Sequence, residues 1–192
     1  EHGVVVEKTG LYSFFIMFTI GITKGRWNTL LAALQQFKDD YDRNQPLWRV
    51  MPEFCAAQPR YEKMGLNDLC QHVHTLYAKY DVARLSTEIY LTDHHPAMTP
   101  ADAFSHIARR KTERVAIDDL EGRITTSLVT PYPPGIPLLI PGEVFNSKIV
   151  NYLQFNRDFA RECPGFETDI HGLVVEKRDD GVAHYFADCV AL

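Results

Sequence analysis

The chain has 192 residues, of which 45% are hydrophobic, 11% aromatic and 23% charged. This is an ordinary globular composition, which excludes intrinsic disorder, collagen and a coiled coil. Twenty Lys and Arg residues against 25 Asp and Glu residues give a net charge of −5, with no long run of like charges. We therefore expect no nucleic-acid partner and no membrane surface. The longest apolar run, residues 11–22, is too short to span a bilayer and lacks the features of a signal peptide.

The beginning of the chain predicts two strands and a helix. Residues 4–6 and the apolar run 12–20 favour buried strands, separated by a turn at residues 8–10. Apolar residues then recur at intervals of three and four, so residues 21–42 are predicted to contain the end of the strand, an N-cap at Thr23 and a long amphipathic helix. Because the chain lacks an initial Met and runs at once into an apolar segment, we interpret it as a piece of a longer polypeptide.

The segment 44–65 contains three prolines and indicates a connection with short helical turns. We place a domain boundary there, between residues 44 and 45. The fold class is therefore α/β for residues 1–44 and α+β for residues 45–192.

Helices and strands alternate irregularly in the second part. Helices are predicted over residues 66–80, 83–92, from Pro100 onward and over 145–162, strands over 123–130, and a hairpin over 173–190 with its turn at 179–181. In the helix that begins at Pro100, Thr99 is the predicted cap, and Ala103, Phe104 and Ile107 supply the apolar face. The proline-rich segment 131–142 cannot be helical and indicates a rigid buried crossing.

Histidine clusters invite a metal hypothesis, but their spacing does not favour it. His72 and His74 lie two apart on a helix and face different ways, and His94 and His95 have no third ligand nearby in the sequence. A metal-dependent hydrolase built on the second pair is therefore the weakest of three functional hypotheses, and we predict no metal site. The carboxylates in residues 117–123 favour a solvated turn near Arg123. The four dispersed cysteines are typical of reduced thiols in a cytoplasmic protein.

Glu7 directly follows three valines, at the point where one predicted strand turns toward the next. A carboxylate there could pair with Lys8 or Arg26, or it could hold a cationic ligand. Composition alone favours the structural pair.

Several sequence blocks resemble one family, the pyridoxal-phosphate-dependent ornithine/lysine/arginine decarboxylases of bacteria. The blocks are H-G-V-V-V-E-K-T-G (2–10), F-T-I-G-I-T-K (18–24), E-G-R (121–123), P-Y-P-P-G-I-P (131–137), P-G-E (141–143) and P-G-F-E-T-D-I-H-G (164–172). Within the family, L-Y-S-F (11–14) and K-G-R-W (24–27) look more like the acid-inducible, biodegradative arginine decarboxylases.

The resemblance implies a fold-type-I enzyme in which residues 1–44 end the small subdomain and residues 45–192 form the α+β C-terminal domain. The family's substrate-binding glutamate falls in the V-E-K-T-G block and maps onto Glu7, where it would accept hydrogen bonds from the distal cation of the substrate. This reverses the preference from composition. The pyridoxal phosphate of such enzymes needs a Schiff-base lysine, and none of the eight lysines has the family's context for it. We therefore predict no catalytic and no cofactor-binding residue in this chain.

The leading hypothesis is the C-terminal part of a decarboxylase that converts arginine to agmatine and CO₂ and serves acid resistance. Its implied partners are the upstream catalytic domain of the same enzyme, a basic amino acid as substrate, and further copies in a homo-oligomer with the active site between subunits. Alone, the chain is expected to be inactive. A lysine or ornithine decarboxylase and a non-enzymatic assembly or binding module derived from such an enzyme are the alternatives.

Overall fold

The computed structural model describes residues 4–177 and 182–191. The helices are α1 (Lys24–Asp42), α2 (Leu47–Val50), α3 (Pro52–Ala57), α4 (Leu66–Lys79), α5 (Val82–Leu91), α6 (Pro100–Ala108) and α7 (Ser147–Glu162). The strands are β1 (Lys8–Thr9), β2 (Phe14–Phe15), β3 (Thr112–Ala116), β4 (Thr130–Tyr132), β5 (Asp169–His171), β6 (Leu173–Lys177) and β7 (Ala183–Val190). The predicted mixture of helices and strands is confirmed. Within the described residues, no helix is both long and apolar enough to cross a membrane. The chain forms two compact units, Glu1–Lys79 and Tyr80–Leu192.

In the first unit, the predicted buried strands are wrong. Residues 4–6 form no strand, and the run 12–20 contributes only the two residues of β2, which pairs with β1. Val5, Phe14 and Ile20 are all more than half exposed. A two-residue hairpin buries little area by itself, and among the described residues these three side chains stay exposed.

Helix α1 begins where the sequence predicts it, directly after Thr23. The backbone of Thr23 is extended as a cap requires, but its side chain makes no capping hydrogen bond. No residue of α1 is buried, although Trp27, Leu31 and Phe37 repeat along one side of it. Apart from the contact of Trp27 with Phe18, the apolar stripe of α1 therefore stays largely exposed among the described residues.

Asn44 ties the end of α1 to the start of α4. Its backbone is left-handed, with φ of 47°. Its Oδ1 atom accepts hydrogen bonds from the backbone amides of Asn67 (2.9 Å) and Asp68 (3.3 Å), which would otherwise lack partners in the first turn of α4. A Cβ at Gly65 would lie 2.0 Å from that same oxygen, so the glycine makes room for the cap. The domain boundary between residues 44 and 45 stays a prediction.

The connection and helix that follow agree with the sequence. Short helical turns occupy residues 47–61, and α4 buries Leu66, Leu69, Leu76 and Tyr77 as its periodicity predicts. The helix predicted over residues 83–92 is α5.

The second unit is built on an antiparallel sheet in the order β3-β7-β6. Val115, Ala187 and Cys189 are buried on one side of it. Helix α7 and the residue before its cap add the buried side chains that the sequence predicts to face inward, Phe145, Ile149, Leu153 and Phe159. The antiparallel hairpin of β6 and β7 is confirmed, whereas its predicted turn at residues 179–181 lies outside the described residues.

Arg157 on α7 organises the main polar network of this unit. Its guanidinium donates to both carboxylate oxygens of Asp118 (2.8 Å each) and to Asp158 (2.9 Å), which also accepts from the Tyr80 hydroxyl (2.9 Å). Burial would raise the pKa of Asp158, but the hydrogen bonds from Arg157 and Tyr80 hold it below its usual value. Asp118 pairs with Arg157 but stays more than half exposed, in keeping with the predicted solvated turn.

The strand predicted over residues 123–130 needs correction. Ile124, Thr125 and Val129 form isolated bridges to three different segments, at residues 144, 189 and 139, and only Thr130 belongs to a strand, β4.

On α6, Thr99 caps the helix as predicted by accepting from the Asp102 amide, and Ala103 is buried. Phe104 and Ile107 are 65% and 41% exposed, so most of the predicted apolar face of α6 lies at the surface.

The proline-rich segment is non-helical, as predicted, but it is only partly buried. Leu138 and Leu139 are buried, whereas Ile136 and Ile140 are exposed. The segment therefore has one face in the core and one at the surface.

Candidate functional site

Glu7, the predicted substrate-binding residue, lies at the surface just before β1. Its backbone amide donates to the Phe15 carbonyl (2.9 Å), which fixes the position of the residue beside β2. Within the described residues its carboxylate forms no ion pair with Lys8 or Arg26. The structural pair is therefore wrong, and the carboxylate is available to an external cation.

A cleft of about 330 Å³ lies in the same unit, against α1. It is lined by Val4, Val5, Ile16, Phe18, Ile22, Arg26, Trp27, Thr29 and Leu30. Phe18 stacks on Trp27, with ring centroids 4.8 Å apart. Apart from Arg26 and Thr29, this wall is apolar, so the cleft can hold an apolar group better than a charged one.

The side chains of this chain do not fit a pyridoxal phosphate site. A Schiff-base lysine needs an enclosed, partly desolvated pocket, because there its amine becomes nucleophilic. All eight lysines are exposed at the surface. None of these lysines lies in such an enclosed pocket within this chain.

His94 and His95, the pair of the metal hypothesis, lie in a loop. The carbonyl of His95 accepts from the Val144 amide (3.2 Å), and the ring atom Nδ1 of His94 is buried with no partner among the described residues. In the described part of the chain, no three His, Cys, Asp or Glu side chains come close enough to hold an ion. The cysteines are no better placed for chemistry, since burial raises the pKa of the Cys189 thiol to about 11.

The structure brings together two blocks that the sequence analysis singled out separately. Strand β4 ends within the block P-Y-P-P-G-I-P and pairs with β5, which lies in P-G-F-E-T-D-I-H-G. The rings of Tyr132 and His171 come within 4.5 Å (centroid to centroid), and Nε2 of His171 lies 3.1 Å from a carboxylate oxygen of Asp169. All three side chains remain about half or more exposed. We call this group the β4–β5 cluster.

Two glycines shape the β4–β5 cluster. A Cβ at Gly135 would lie 3.0 Å from the Tyr132 ring, and one at Gly172 would lie 2.2 Å from the Leu128 carbonyl oxygen. Gly172 also has φ of 91°, which side chains rarely adopt. Sequence analysis missed the cluster because its parts are nearly forty residues apart, although both blocks carried the family resemblance.

Comparison with known protein families shows which family the chain belongs to. The model of the "Orn/Lys/Arg decarboxylase, C-terminal domain" matches residues 83–191. The chain belongs to this family. The resemblance inferred from the sequence blocks is confirmed at this level.

The relatives that match this chain include lysine and arginine decarboxylases. The chain is 43% identical to lysine decarboxylase LdcA of Pseudomonas aeruginosa, over 99% of this chain and 26% of that protein. It is 36% identical to the biodegradative arginine decarboxylase of Escherichia coli K12, over 96% of this chain and 24% of that protein. The solved structure of lysine decarboxylase A from P. aeruginosa superimposes with a TM-score of 0.88 over 98% of this chain and 26% of that one. The chain thus spans about a quarter of the relatives it matches, and the expected preference for the arginine enzymes is not supported by these identities.

Proposed function

We propose that this chain is the C-terminal part of a pyridoxal-phosphate-dependent decarboxylase that acts on lysine. The observation that carries this proposal is the family membership together with the higher identity to a lysine decarboxylase (43%) than to an arginine decarboxylase (36%). Arginine decarboxylation to agmatine remains a second candidate because of the L-Y-S-F and K-G-R-W blocks, and ornithine decarboxylation a third.

The cofactor and its Schiff-base lysine belong, in this proposal, to the preceding part of the polypeptide. The exposed lysines described above support this location. So does the apolar surface of the first unit, where Trp27, Leu31, Leu34 and Phe37 on α1 are 45–54% exposed. Four such residues on one helix form a larger apolar patch than the single exposed apolar residues that are normal on a monomer. The preceding part of the polypeptide would cover this patch.

Glu7 is the residue of this chain that we assign to the substrate. Its unpaired carboxylate would accept hydrogen bonds from the ammonium group at the far end of a lysine side chain, while the cofactor supplies the electron sink for loss of CO₂. A single carboxylate also suits a guanidinium, so Glu7 does not by itself select lysine over arginine.

Three properties of the whole enzyme are part of the same proposal. Decarboxylation replaces a carboxylate by a proton, so the reaction consumes protons and would serve acid resistance. The enzyme would act in the cytoplasm, in keeping with dispersed cysteines that form no disulfide in the structure. It would work as a homo-oligomer with its active site between subunits.

Steady-state kinetics of the full-length protein with lysine, arginine and ornithine tests the proposal. We expect kcat/KM for lysine to exceed that for the other two at least tenfold. A preference for arginine would return the assignment to the arginine enzymes. No decarboxylation of any of the three would favour the alternative of a non-enzymatic module.

The assignment of Glu7 has its own test, the variant Glu7→Gln in the full-length protein. Removing one partner of a desolvated charge pair costs about 2–5 kcal/mol, so we expect kcat/KM for lysine to fall at least ~30-fold while the absorbance of the bound cofactor is unchanged. Glu53→Gln is the matched control, because Glu53 is an exposed glutamate of the same unit. Equal kinetics in the two variants would remove Glu7 from the substrate site.

A further inference from the structure

Glu7 is carried by a hairpin that is too small to be stable by itself. Strands β1 and β2 contribute two residues each, and the loop between them spans residues 10–13. An isolated two-stranded hairpin is at best marginally stable in water. Contacts outside the hairpin must therefore hold it in place, and with it the carboxylate that we assign to the substrate.

Hydrogen bonds make the hairpin a single body from its loop to Glu7. In the loop, the amide of Gly10 donates to the Ser13 carbonyl (2.7 Å), and a Cβ at Gly10 would lie 3.0 Å from the Ser13 hydroxyl oxygen. At the open end, the amide of Glu7 donates to the Phe15 carbonyl (2.9 Å). Because both ends of the segment 7–15 are bonded, a displacement of the loop moves Glu7 with it.

An aromatic contact joins the loop of the hairpin to helix α4. The ring of Tyr12, in the loop, packs edge-on against the ring of Tyr77, with centroids 5.2 Å apart and an interplanar angle of 63°. This T-shaped arrangement is one of the favoured geometries for two aromatic rings. Tyr77 is buried on α4 together with Leu69 and Leu76, so the loop rests on a packed part of the unit.

A second aromatic contact holds the chain that leaves the hairpin. Phe18, three residues after β2, stacks on Trp27 of α1 with an interplanar angle of 22°. Both of these rings are about half exposed. The contact of Tyr12 with Tyr77 is therefore the firmer of the two supports, because only Tyr77 belongs to the core.

We propose that Tyr12 is a positioning residue for the substrate, because its ring, packed on Tyr77, determines where the Glu7 carboxylate lies. The inference rests on the proposed function, in which Glu7 accepts hydrogen bonds from the distal cation of the substrate. That cation does not react, so a misplaced carboxylate weakens binding of the substrate and of the transition state alike. The expected signature is a raised KM with an almost unchanged kcat.

Steady-state kinetics of the full-length protein with lysine tests this role. Tyr12→Ala should raise KM about 2- to 10-fold, the range that corresponds to one aromatic pair, while kcat stays within about twofold. Tyr12 is 53% exposed, so loss of its ring leaves no cavity in the core. Tyr12→Phe keeps the ring and should restore the KM of the unmodified protein.

Phe14→Ala is the matched control. Phe14 belongs to the same hairpin and is 56% exposed, but its ring contacts no other aromatic ring of the described residues. We therefore expect Phe14→Ala to leave KM unchanged. An equal rise of KM in Phe14→Ala and Tyr12→Ala would mean that any damage to the hairpin has this effect, and it would overturn the positioning role.

A double-variant cycle shows whether Tyr12 acts through Glu7. In Glu7→Gln protein the carboxylate is already absent, so adding Tyr12→Ala should raise KM by less than about twofold further. A full further rise would overturn the inference. So would normal kinetics of Tyr12→Ala beside impaired Glu7→Gln, a result that leaves the proposed function intact. Normal kinetics of Glu7→Gln is the distinct outcome that removes Glu7 from the substrate site, and the positioning role with it.

Hydrogen–deuterium exchange of the same full-length variants provides a readout that needs no activity. The amides of Glu7 and Gly10 should exchange faster in Tyr12→Ala than in Tyr12→Phe or Phe14→Ala, because their hydrogen bonds lose the support of α4. Protection of α4 itself should be the same in all three variants. Unaltered exchange at both amides in Tyr12→Ala, or loss of protection throughout α4, would contradict the inference.

Discussion

Replacing Gly172 by alanine should loosen the β4–β5 cluster far more than an equivalent change elsewhere. Gly172 has φ of 91°, and its added Cβ would lie 2.2 Å from the Leu128 carbonyl oxygen. Gly122 has φ of 81° but no atom within 4 Å of the same added carbon. Both variants lose about 1–2 kcal/mol by forcing alanine into a left-handed conformation. Only Gly172→Ala adds the cost of displacing a backbone, about 1–3 kcal/mol.

Hydrogen–deuterium exchange of the full-length protein measures this difference directly. The extra 1–3 kcal/mol corresponds to a roughly 5- to 150-fold larger opening equilibrium for the amides of β4 and β5 in Gly172→Ala. In Gly122→Ala those amides should exchange as in the unmodified protein, with the change confined to the turn around residue 122. Equal loss of protection in the two variants would refute the close approach of Gly172 to Leu128.

Two further predictions concern capping and acid stability. Asn44→Ala should cost about 1–3 kcal/mol, because it removes the cap of α4 and forces alanine into a left-handed conformation, whereas Asn44→Gly should cost only a few tenths. Both variants lose the Oδ1 acceptor, so exchange at the Asn67 and Asp68 amides should be faster in each, while the free energy of unfolding should fall further in the alanine variant. Equal stability of the two variants would contradict the left-handed strain at residue 44. The pKa of Asp158 lies below its usual value, so its contribution to stability is present above the unfolded-state pKa of about 3.9 and is lost as pH falls through the lower folded-state value. The difference in thermal midpoint between the unmodified protein and Asp158→Asn should therefore shrink from pH 7 to pH 3, and a constant difference would contradict the ion pair with Arg157.

Sequence periodicity predicts helices well wherever their apolar side packs within the same unit. Helix α7 buries Ile149, Leu153 and Phe159 as predicted, and α4 buries Leu69 and Leu76. The same reasoning fails for residues 4–20. An apolar run indicates that a segment packs against other apolar groups, but it does not indicate whether those groups belong to the same unit.

Pairings between distant segments are what the sequence does not reveal. Arg157 pairs with Asp118, 39 residues away, and Tyr132 contacts His171 only because β4 and β5 are neighbours. Local charge and turn patterns cannot distinguish such partners from nearer ones such as Arg123. Resemblance of whole blocks identified the family and singled out both parts of the β4–β5 cluster, but it did not indicate that they meet.

The most direct test of the central claim is release of CO₂ from carboxyl-labelled lysine, measured with pyridoxal phosphate for the full-length protein and for residues 1–192 alone. The account predicts rapid release by the full-length protein and none above background by residues 1–192, because all eight lysines of this part are exposed and unsuited to the cofactor. Release of CO₂ by residues 1–192 alone, or no release by the full-length protein, would contradict it.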